Sequence, residues 1–311
     1  MVPRPTAEHA GKSRRQARQQ TTHQPKVPCQ IGDAVIRALL ILVALSTACA
    51  ARAPEVHGRA ILLVERGRIG EARVLLEERV RSHPDDTGAR RLLVRVHGFA
   101  GNLGAARVEA ERLAARLGPA SAVPWVELGH ALELAHRYDE ALSLYDRAAE
   151  VAPRDPAGPR TGGLRAAAWG EHEIARPRLE EALRRAPGDA EVWHALGHVC
   201  LSLEAFDDAE RAYRSGLEAD PAALENRVGL ATLAVVRKDP ARALAEYEAL
   251  LAARPGFADA YLGRSWALMA LGRLAEAERA LDEAALRRAD PRVIARQRRE
   301  LARRRAEAGP R

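Results

Sequence analysis

Aromatic residues, cysteine and strand-like patterns are scarce in this sequence, and each shortage excludes a kind of fold or site. Aromatic side chains make up only 4% of its 311 residues, and β-branched residues never alternate with polar ones as they do in strands. The three cysteines imply no disulfide framework and include no pair at metal-binding spacing. Because alanine, arginine, leucine and glutamate dominate instead, helix is the only regular structure that the composition supports.

Motifs for catalysis and for cofactor binding are also missing. The sequence has no Gly-rich phosphate loop and no nucleophile elbow. The nearest candidate is the pair His194 and His198, which stand four residues apart on one helix face with Cys200 nearby. Metalloprotease chemistry would need a glutamate base at position 195, where Ala195 stands. We therefore interpret the pair as histidines that line a groove, and we expect no enzymatic activity, no metal site and no cofactor.

The excess of positive over negative charge lies at the two ends of the chain. The formal net charge is +7, yet residues 1–52 carry +6 and residues 287–311 carry +7, which leaves −6 for the residues between them. The middle of the chain is therefore acidic. A nucleic-acid-binding role for the whole protein loses its main support.

A pattern of 34 residues is complete between residues 190 and 223. Small residues stand at its positions 8, 20 and 27, where they let two helices approach closely, and large residues at positions 4, 7 and 24 fill the space between them. A proline at position 32 ends the second helix. In order, these residues are Trp193, Leu196, Gly197, Ala209, Tyr213, Gly216 and Pro221.

The same pattern returns in six further units. Residues 122–155 match every position, with Trp125, Leu128, Gly129, Ala141, Tyr145, Ala148 and Pro153. Residues 156–189 have Pro159 and Gly162 where tryptophan and leucine are expected, so we expect the first helix of that unit to start late or to be weak. The seven units are 53–86, 87–120, 122–155, 156–189, 190–223, 224–257 and 258–291, with Ser121 as one extra residue between the second and the third.

The order and spacing of these residues resembles the tetratricopeptide repeat. The resemblance implies an all-α fold, a right-handed superhelical α-solenoid of about seven helix-turn-helix repeats that forms one elongated domain. A solenoid needs a terminal helix with one apolar and one polar face. The Arg-rich residues 292–311 are expected to form this basic C-terminal capping helix. A helix that touches anionic lipid or nucleic acid is the alternative.

The resemblance also implies a binding surface, because positions 2, 5, 9 and 12 of each first helix line a concave groove in this family. The first half of this groove leans basic and the second half leans acidic. Some family members bind the carboxylate end of chaperone peptides through Lys and Asn at set positions, but one possible frame here holds Val126, His130, Thr161, Glu191 and Ala195. That ligand class is disfavoured. The candidate partner-binding residues are Arg91, Arg95, Val126, His130, Glu133, Arg160, His194, His198, Glu225, Thr232, Asp259 and Trp266.

A short apolar segment near the N-terminus predicts export. Residues 1–30 are polar and basic, and we expect them to be disordered, or untranslated if the true start lies downstream. The uncharged run over residues 38–51 has 14 residues, too few to span a bilayer but suited to the core of a signal peptide over residues 31–48. The sequence LSTAC at residues 45–49 resembles a bacterial lipobox, which implies lipidation of Cys49.

Two alternatives stay open for this segment, namely ordinary signal cleavage after Ala48 or Ala50 and a short uncleaved anchor. Residue 50 is alanine rather than the aspartate that often retains lipoproteins at the inner membrane. If Cys49 is lipidated, we expect the protein at the periplasmic face of the outer membrane.

The features together predict a non-enzymatic scaffold that holds a peptide or a partner protein in the concave groove. As an exported lipoprotein it would serve envelope assembly, such as pilus biogenesis, secretion or polysaccharide export, by analogy with repeat lipoproteins. Two alternatives are a cytoplasmic adaptor or regulatory module, and the accessory substrate-binding subunit of a split enzyme.

Overall fold

A computed structural model describes residues 53–308, which form fifteen helices and no strand. The predicted signal peptide, Cys49 and the last three residues lie outside this range. The helices are α1 Ala53–Glu65, α2 Ile69–Ser82, α3 Thr87–Phe99, α4 Leu103–Leu117, α5 Val123–Leu134, α6 Tyr138–Val151, α7 Ala157–Ala168, α8 His172–Arg185, α9 Ala190–Ser202, α10 Phe206–Ala219, α11 Leu224–Val236, α12 Pro240–Ala253, α13 Ala258–Ala270, α14 Leu274–Leu286 and α15 Pro291–Ala308.

Each 34-residue unit contributes two helices that pack against each other, and the second of them also packs on the first helix of the next unit. From repeat 1 to repeat 6, consecutive first helices contact each other as well. The second helices of neighbouring repeats make no comparable contact within residues 53–308. The first helices therefore form the inner face of an α-solenoid and the second helices form its outer face, with a core that runs along the stack.

The turns between paired helices share one left-handed residue at position 15 of the repeat. Glycine takes this position in four repeats, and Gly67, for example, has a φ of 73°. Three repeats place His136, Glu204 and Lys238 there, with φ of 60°, 58° and 57°. The amide of the next residue then bonds back into the first helix, as Ala205 N does to the carbonyl of Cys200 at 2.8 Å. This C-cap ends every first helix at the same point.

Glycine and tyrosine pack together between the two helices of a repeat. A Cβ on Gly197 would lie 2.5 Å from the ring of Tyr213, and one on Gly129 would lie 2.4 Å from the ring of Tyr145. Both tyrosines are fully buried. The small and large positions of the pattern therefore meet in space, which explains why their spacing is kept from repeat to repeat.

The expectation that the first helix of repeat 4 starts late or is weak is wrong. Helix α7 begins at Ala157 and has 12 residues, the same length as α5. Pro159 stands in the first turn, where a backbone N–H has no intrahelical partner to lose. Gly162 lies close to the side chains of Tyr145 and Arg178, so a short distance between helices replaces the missing large side chain.

Helix α15 packs against α13 and α14, in the place that the first helix of an eighth repeat would take. Ile294 and Leu301 are buried against repeat 7. The Nε2 of Gln297 donates to the carbonyl of Leu262 at 3.2 Å, and Arg304 donates to that of Met269 at 2.9 Å. The opposite side of the helix is exposed and rich in arginine. No helix within residues 53–308 has the length and apolar character that a membrane span requires.

Candidate partner-binding groove

The inner face has two halves. In repeats 2 to 4, the self-paired half, charged side chains contact one another, and in repeats 5 to 7, the open half, most candidate side chains are exposed. In repeats 2 to 4, Arg95 and His130 are buried, and Arg91, Val126, Glu133 and Arg160 are half-buried. In repeats 5 to 7, His194 and Trp266 are half-buried, whereas His198, Glu225, Thr232 and Asp259 are exposed. The candidate residues therefore differ in how much of each side chain a partner can reach.

Glu127 holds the first two arginines of the inner face and was not among the candidate residues. Its side chain is only 1% exposed, and the Nη2 of Arg91 lies 2.8 Å from its Oε1 while Arg95 donates to its Oε2. Burial acts to raise the pKa of Glu127, but Arg95 and Arg91 outweigh it and keep the pKa below its ordinary value. These charges pair with one another across the junction of repeats 2 and 3, so Arg91 and Arg95 are engaged within the protein.

A second polar network lies beside it, around His130. The Nδ1 of His130 is 3.0 Å from the hydroxyl of Tyr145 and 3.3 Å from Oε2 of Glu133. Arg165 completes the network, with its Nε 3.2 Å from Oε1 of Glu133. Burial lowers the pKa of His130 below its ordinary value, although the contact with Glu133 acts to raise it. His130 is therefore a neutral, internally bonded side chain at neutral pH.

The inner face of repeats 5 to 7 is acidic and accessible. Glu225 and Asp259 each stand at position 2 of their repeats, are exposed, and make no ion pair with any residue in the range 53–308. Arg160 is occupied at the edge of this region, since its Nε lies 2.7 Å from Oδ2 of Asp189 and its Nη2 donates to Glu191. Two free carboxylates on successive repeats favour a partner with basic residues.

The histidine pair lies on this open half. The ring of His194 stands 6.0 Å from that of Tyr213, and burial lowers the pKa of His194. The ring of His198 makes an edge contact with His172, with centroids 6.0 Å apart. Within the described residues, no three His, Cys, Asp or Glu side chains are grouped as a metal ion would need. Cys200 is buried, and burial raises the pKa of its thiol, which makes it a packing residue.

Family models decide the identity of the repeats. Two models, both described as tetratricopeptide repeat, match residues 57–122, 166–233 and 234–298. The chain belongs to the tetratricopeptide repeat family. Its membership rests on residues along most of the solenoid, and it gives the chain the role of a protein–protein interaction scaffold.

Known proteins that resemble this repeat chain do so at low identity. A curated relative from Aspergillus fumigatus, the heat-shock protein cognate co-chaperone sgt12, is 29% identical over 92 residues, which are 30% of this chain and 27% of the relative. The chain thus spans about a quarter of the length of that protein. A solved part of a repeat protein from Cytophaga hutchinsonii shares 15% identity at a TM-score of 0.58, covering 76% of this chain and 97% of its own. The repeat protein YrrB shares 20% identity at a TM-score of 0.51, covering 60% of this chain and 96% of its own. Both structures support the fold.

Proposed function

We propose that this repeat protein binds a basic, extended segment of a partner protein along the inner face of repeats 5 to 7. The observation that carries the proposal is the contrast between the two halves of that face. The side chains of repeats 2 to 4 already satisfy one another through Glu127 and Glu133, whereas Glu225 and Asp259 have no ion-pair partner within residues 53–308. Binding a partner in its own groove needs no catalytic group, and we propose none.

The descriptions of two similar proteins are consistent with a peptide ligand, but they do not indicate which residues such a peptide contains. YrrB is described as a repeat protein with an unusual peptide-binding site. The co-chaperone relative suggests chaperone peptides, yet the frame that would hold their carboxylate end contains Val126, His130 and Ala195 rather than Lys and Asn. We therefore expect peptides with an amidated C-terminus to bind as well as those with a free carboxylate.

Selection from a random peptide library tests the basic-segment proposal. Peptides retained by the protein should be enriched in Lys and Arg, and the double variant Glu225→Lys/Asp259→Lys should weaken the best of them by at least about ten-fold, because two attractive charges become repulsive. A matched control is Glu150→Lys/Glu218→Lys, which changes two exposed carboxylates on second helices. Equal affinity for both double variants would rule out the inner face of repeats 5 to 7 as the binding surface.

We further propose that the protein is an exported lipoprotein anchored through Cys49 at the periplasmic face of the outer membrane, where it serves envelope assembly. The support is the short apolar run before LSTAC and the alanine at residue 50. A lipoprotein with two or three acyl chains should stay attached to the membrane. In cells fed radiolabelled palmitate, the wild type and Cys200→Ser should carry label and Cys49→Ser should not. No label in the wild type, with the protein in the cytoplasm, would favour the cytoplasmic adaptor instead.

A further inference from the structure

Position 4 of the repeat carries an aromatic side chain in repeats 3, 5 and 7, as Trp125, Trp193 and Tyr261. Two of these side chains are held by arginines. The guanidinium of Arg147 lies 3.7 Å from the centre of the Trp125 ring, and that of Arg287 lies 4.3 Å from the Tyr261 ring. The two arginines stand at different positions of their repeats, Arg147 at 26 and Arg287 at 30. Within the described residues, the stacked unit of positions 4 and 26 is therefore formed once, in repeat 3.

Repeat 2 has Arg90 at position 4, and Arg90 makes the backbone contact that Trp193 makes at position 4 of repeat 5. The Nη2 of Arg90 lies 3.4 Å from the carbonyl of Pro84, as the Nε1 of Trp193 lies 2.8 Å from that of Pro187. The other arm of Arg90 pairs with Glu109, and both side chains are more than nine-tenths buried. A guanidinium therefore stands where repeats 3, 5 and 7 have a ring, and it lines an open cleft.

An open cleft of about 600 Å³ lies at this place, on the outer side of α3. Helices α2 and α4 form its walls, and α3 forms its floor. Its apolar lining includes Val80 and Leu93, together with Val108, which is 44% exposed at the rim. Arg81 and Arg112 stand at the edges of the cleft. The rest of the lining is polar and carries both signs of charge, from Glu77, Arg90, His97 and Glu109. An apolar strip among charges of both signs, with arginines at the edges, suits a ring better than an ion of either sign.

Arg112 stands at position 26 of repeat 2, the position that Arg147 has in repeat 3. Its side chain is 62% exposed and reaches Glu109 through Nη1 at 2.5 Å. Among the described residues, Arg112 stacks on no aromatic ring, whereas Arg147 covers Trp125. Repeat 2 thus has the arginine of the stacked unit and the space for the ring, but not the ring itself.

We propose that this opening, the repeat-2 cleft, binds an aromatic side chain of a partner protein, with Arg112 stacked on the ring. Residues 1–52 and 309–311 contain no Phe, Tyr or Trp, so none of them supplies the ring. The cleft lies on the outer side of the solenoid and does not depend on the groove proposed above. A partner that uses both surfaces would contact the protein on two sides of repeats 2 to 7.

Methyl-detected NMR of the full chain with N-acetyl-L-tryptophanamide as the probe tests the proposal. The ring should shift the methyl signals of Val80, Leu93 and Val108 upfield, and the shift should saturate as the concentration of the probe rises. N-acetyl-L-leucinamide, which has no ring, should bind more weakly. The variant Arg112→Gln should weaken the tryptophan probe about two- to five-fold, and the exposed control Arg107→Gln on the same helix should not. Val108→Glu should reduce binding further, with the exposed Val74→Glu as its control.

Three results would overturn the assignment. The first is no saturable shift at these three methyl groups. The second is equal affinity for the leucine and tryptophan probes, which would remove the argument from the ring. The third is a dimer in sedimentation experiments that dissociates in Val108→Glu, since the occupant would then be a second copy of this chain, with Tyr138 as its 41% exposed aromatic residue. Monomeric protein with a saturable, ring-dependent shift supports the proposal.

Discussion

Gly197 illustrates how single residues set the distance between paired helices. The position has no room for a side chain, because a Cβ would come within 2.5 Å of Tyr213. We expect Gly197→Leu to lower the free energy of unfolding by on the order of 1 to 3 kcal/mol through overpacking. Gly104→Leu is the matched control, since nothing lies within 4 Å of that Cβ position. Urea unfolding followed by circular dichroism measures the free energy of unfolding of both variants. If Gly197→Leu left this free energy unchanged, the two helices would not meet at Gly197.

Glu127 makes the stability of repeats 2 and 3 depend on pH. Because Arg95 and Arg91 keep its pKa below the ordinary value despite burial, its contribution is present above the unfolded pKa of about 4.3 and is lost as the pH falls through the folded value. Glu127→Gln leaves buried arginine charge uncompensated and should cost about 3 to 5 kcal/mol at pH 7. It should also flatten the loss of stability below pH 4.

Unfolding free energies at pH 7 and at lower pH check this prediction. Glu140→Gln is the control, because Glu140 pairs with Arg137 on the surface, where such pairs contribute about 0 to 1 kcal/mol. Equal losses in the two variants would contradict the structural role of Glu127. The repeat pattern predicts Arg91 and Arg95 as groove residues but does not predict their shared partner Glu127, because ion pairs 32 and 36 residues apart follow from the stacking of repeats. Opposite charges one repeat apart were the available signal.

The turns between paired helices place some non-glycine residues in an unfavourable left-handed backbone conformation. Position 15 is left-handed in every repeat, yet Glu204 and Lys238 occupy it in repeats 5 and 6. A side chain in this conformation costs roughly 1 to 2 kcal/mol, and glycine loses part of that gain through its greater chain entropy. We expect Glu204→Gly and Lys238→Gly each to stabilise the protein by about 0.5 to 1 kcal/mol. Gly101→Ala, at the same position of repeat 2, should destabilise the protein. Destabilisation by Glu204→Gly and Lys238→Gly, or stabilisation by Gly101→Ala, would contradict the shared turn geometry.

The presence of two helices in each repeat could be predicted from the sequence, because small and large residues recur at the same positions of every repeat. The prediction of a weak α7 is wrong because Pro159 lies in the first turn, where a proline breaks no helical hydrogen bond. The missing large side chains are offset by the closer helix approach that Gly162 permits. Packing distance is a property of two elements together, and a single-sequence pattern describes only one of them.

At the scale of the whole molecule, a stack of repeats should lose stability in increments rather than all at once. Truncation after Pro255 removes α13 to α15 and uncovers Tyr247 and Leu251, which pack against the last repeat. We expect the remaining chain to stay soluble and helical, with a lower melting temperature and some tendency to associate through its new end. A fully unfolded product by circular dichroism would indicate a single shared core instead.

The fold could be predicted from the sequence because nearest-neighbour packing needs only local information, repeated along the chain. The groove could be predicted only in part. The family resemblance gave the positions of the first helices that line it, but not which side chains are engaged with one another and which are open. On spacing alone, Arg95 and Glu225 are equal candidates, and the structure separates them because Arg95 is buried and paired with Glu127 whereas Glu225 is exposed.

Photo-crosslinking in the native cell tests the central claim most directly. A photoreactive amino acid replaces Thr232, which is exposed on the inner face of repeat 6, and in separate strains it replaces Arg91 on the self-paired half and Glu218 on the outer face. We predict adducts from position 232 to a partner segment rich in Lys or Arg, and little or no adduct to that segment from positions 91 and 218. Adducts to that segment from position 218 with none from 232 would contradict binding along the inner face of repeats 5 to 7.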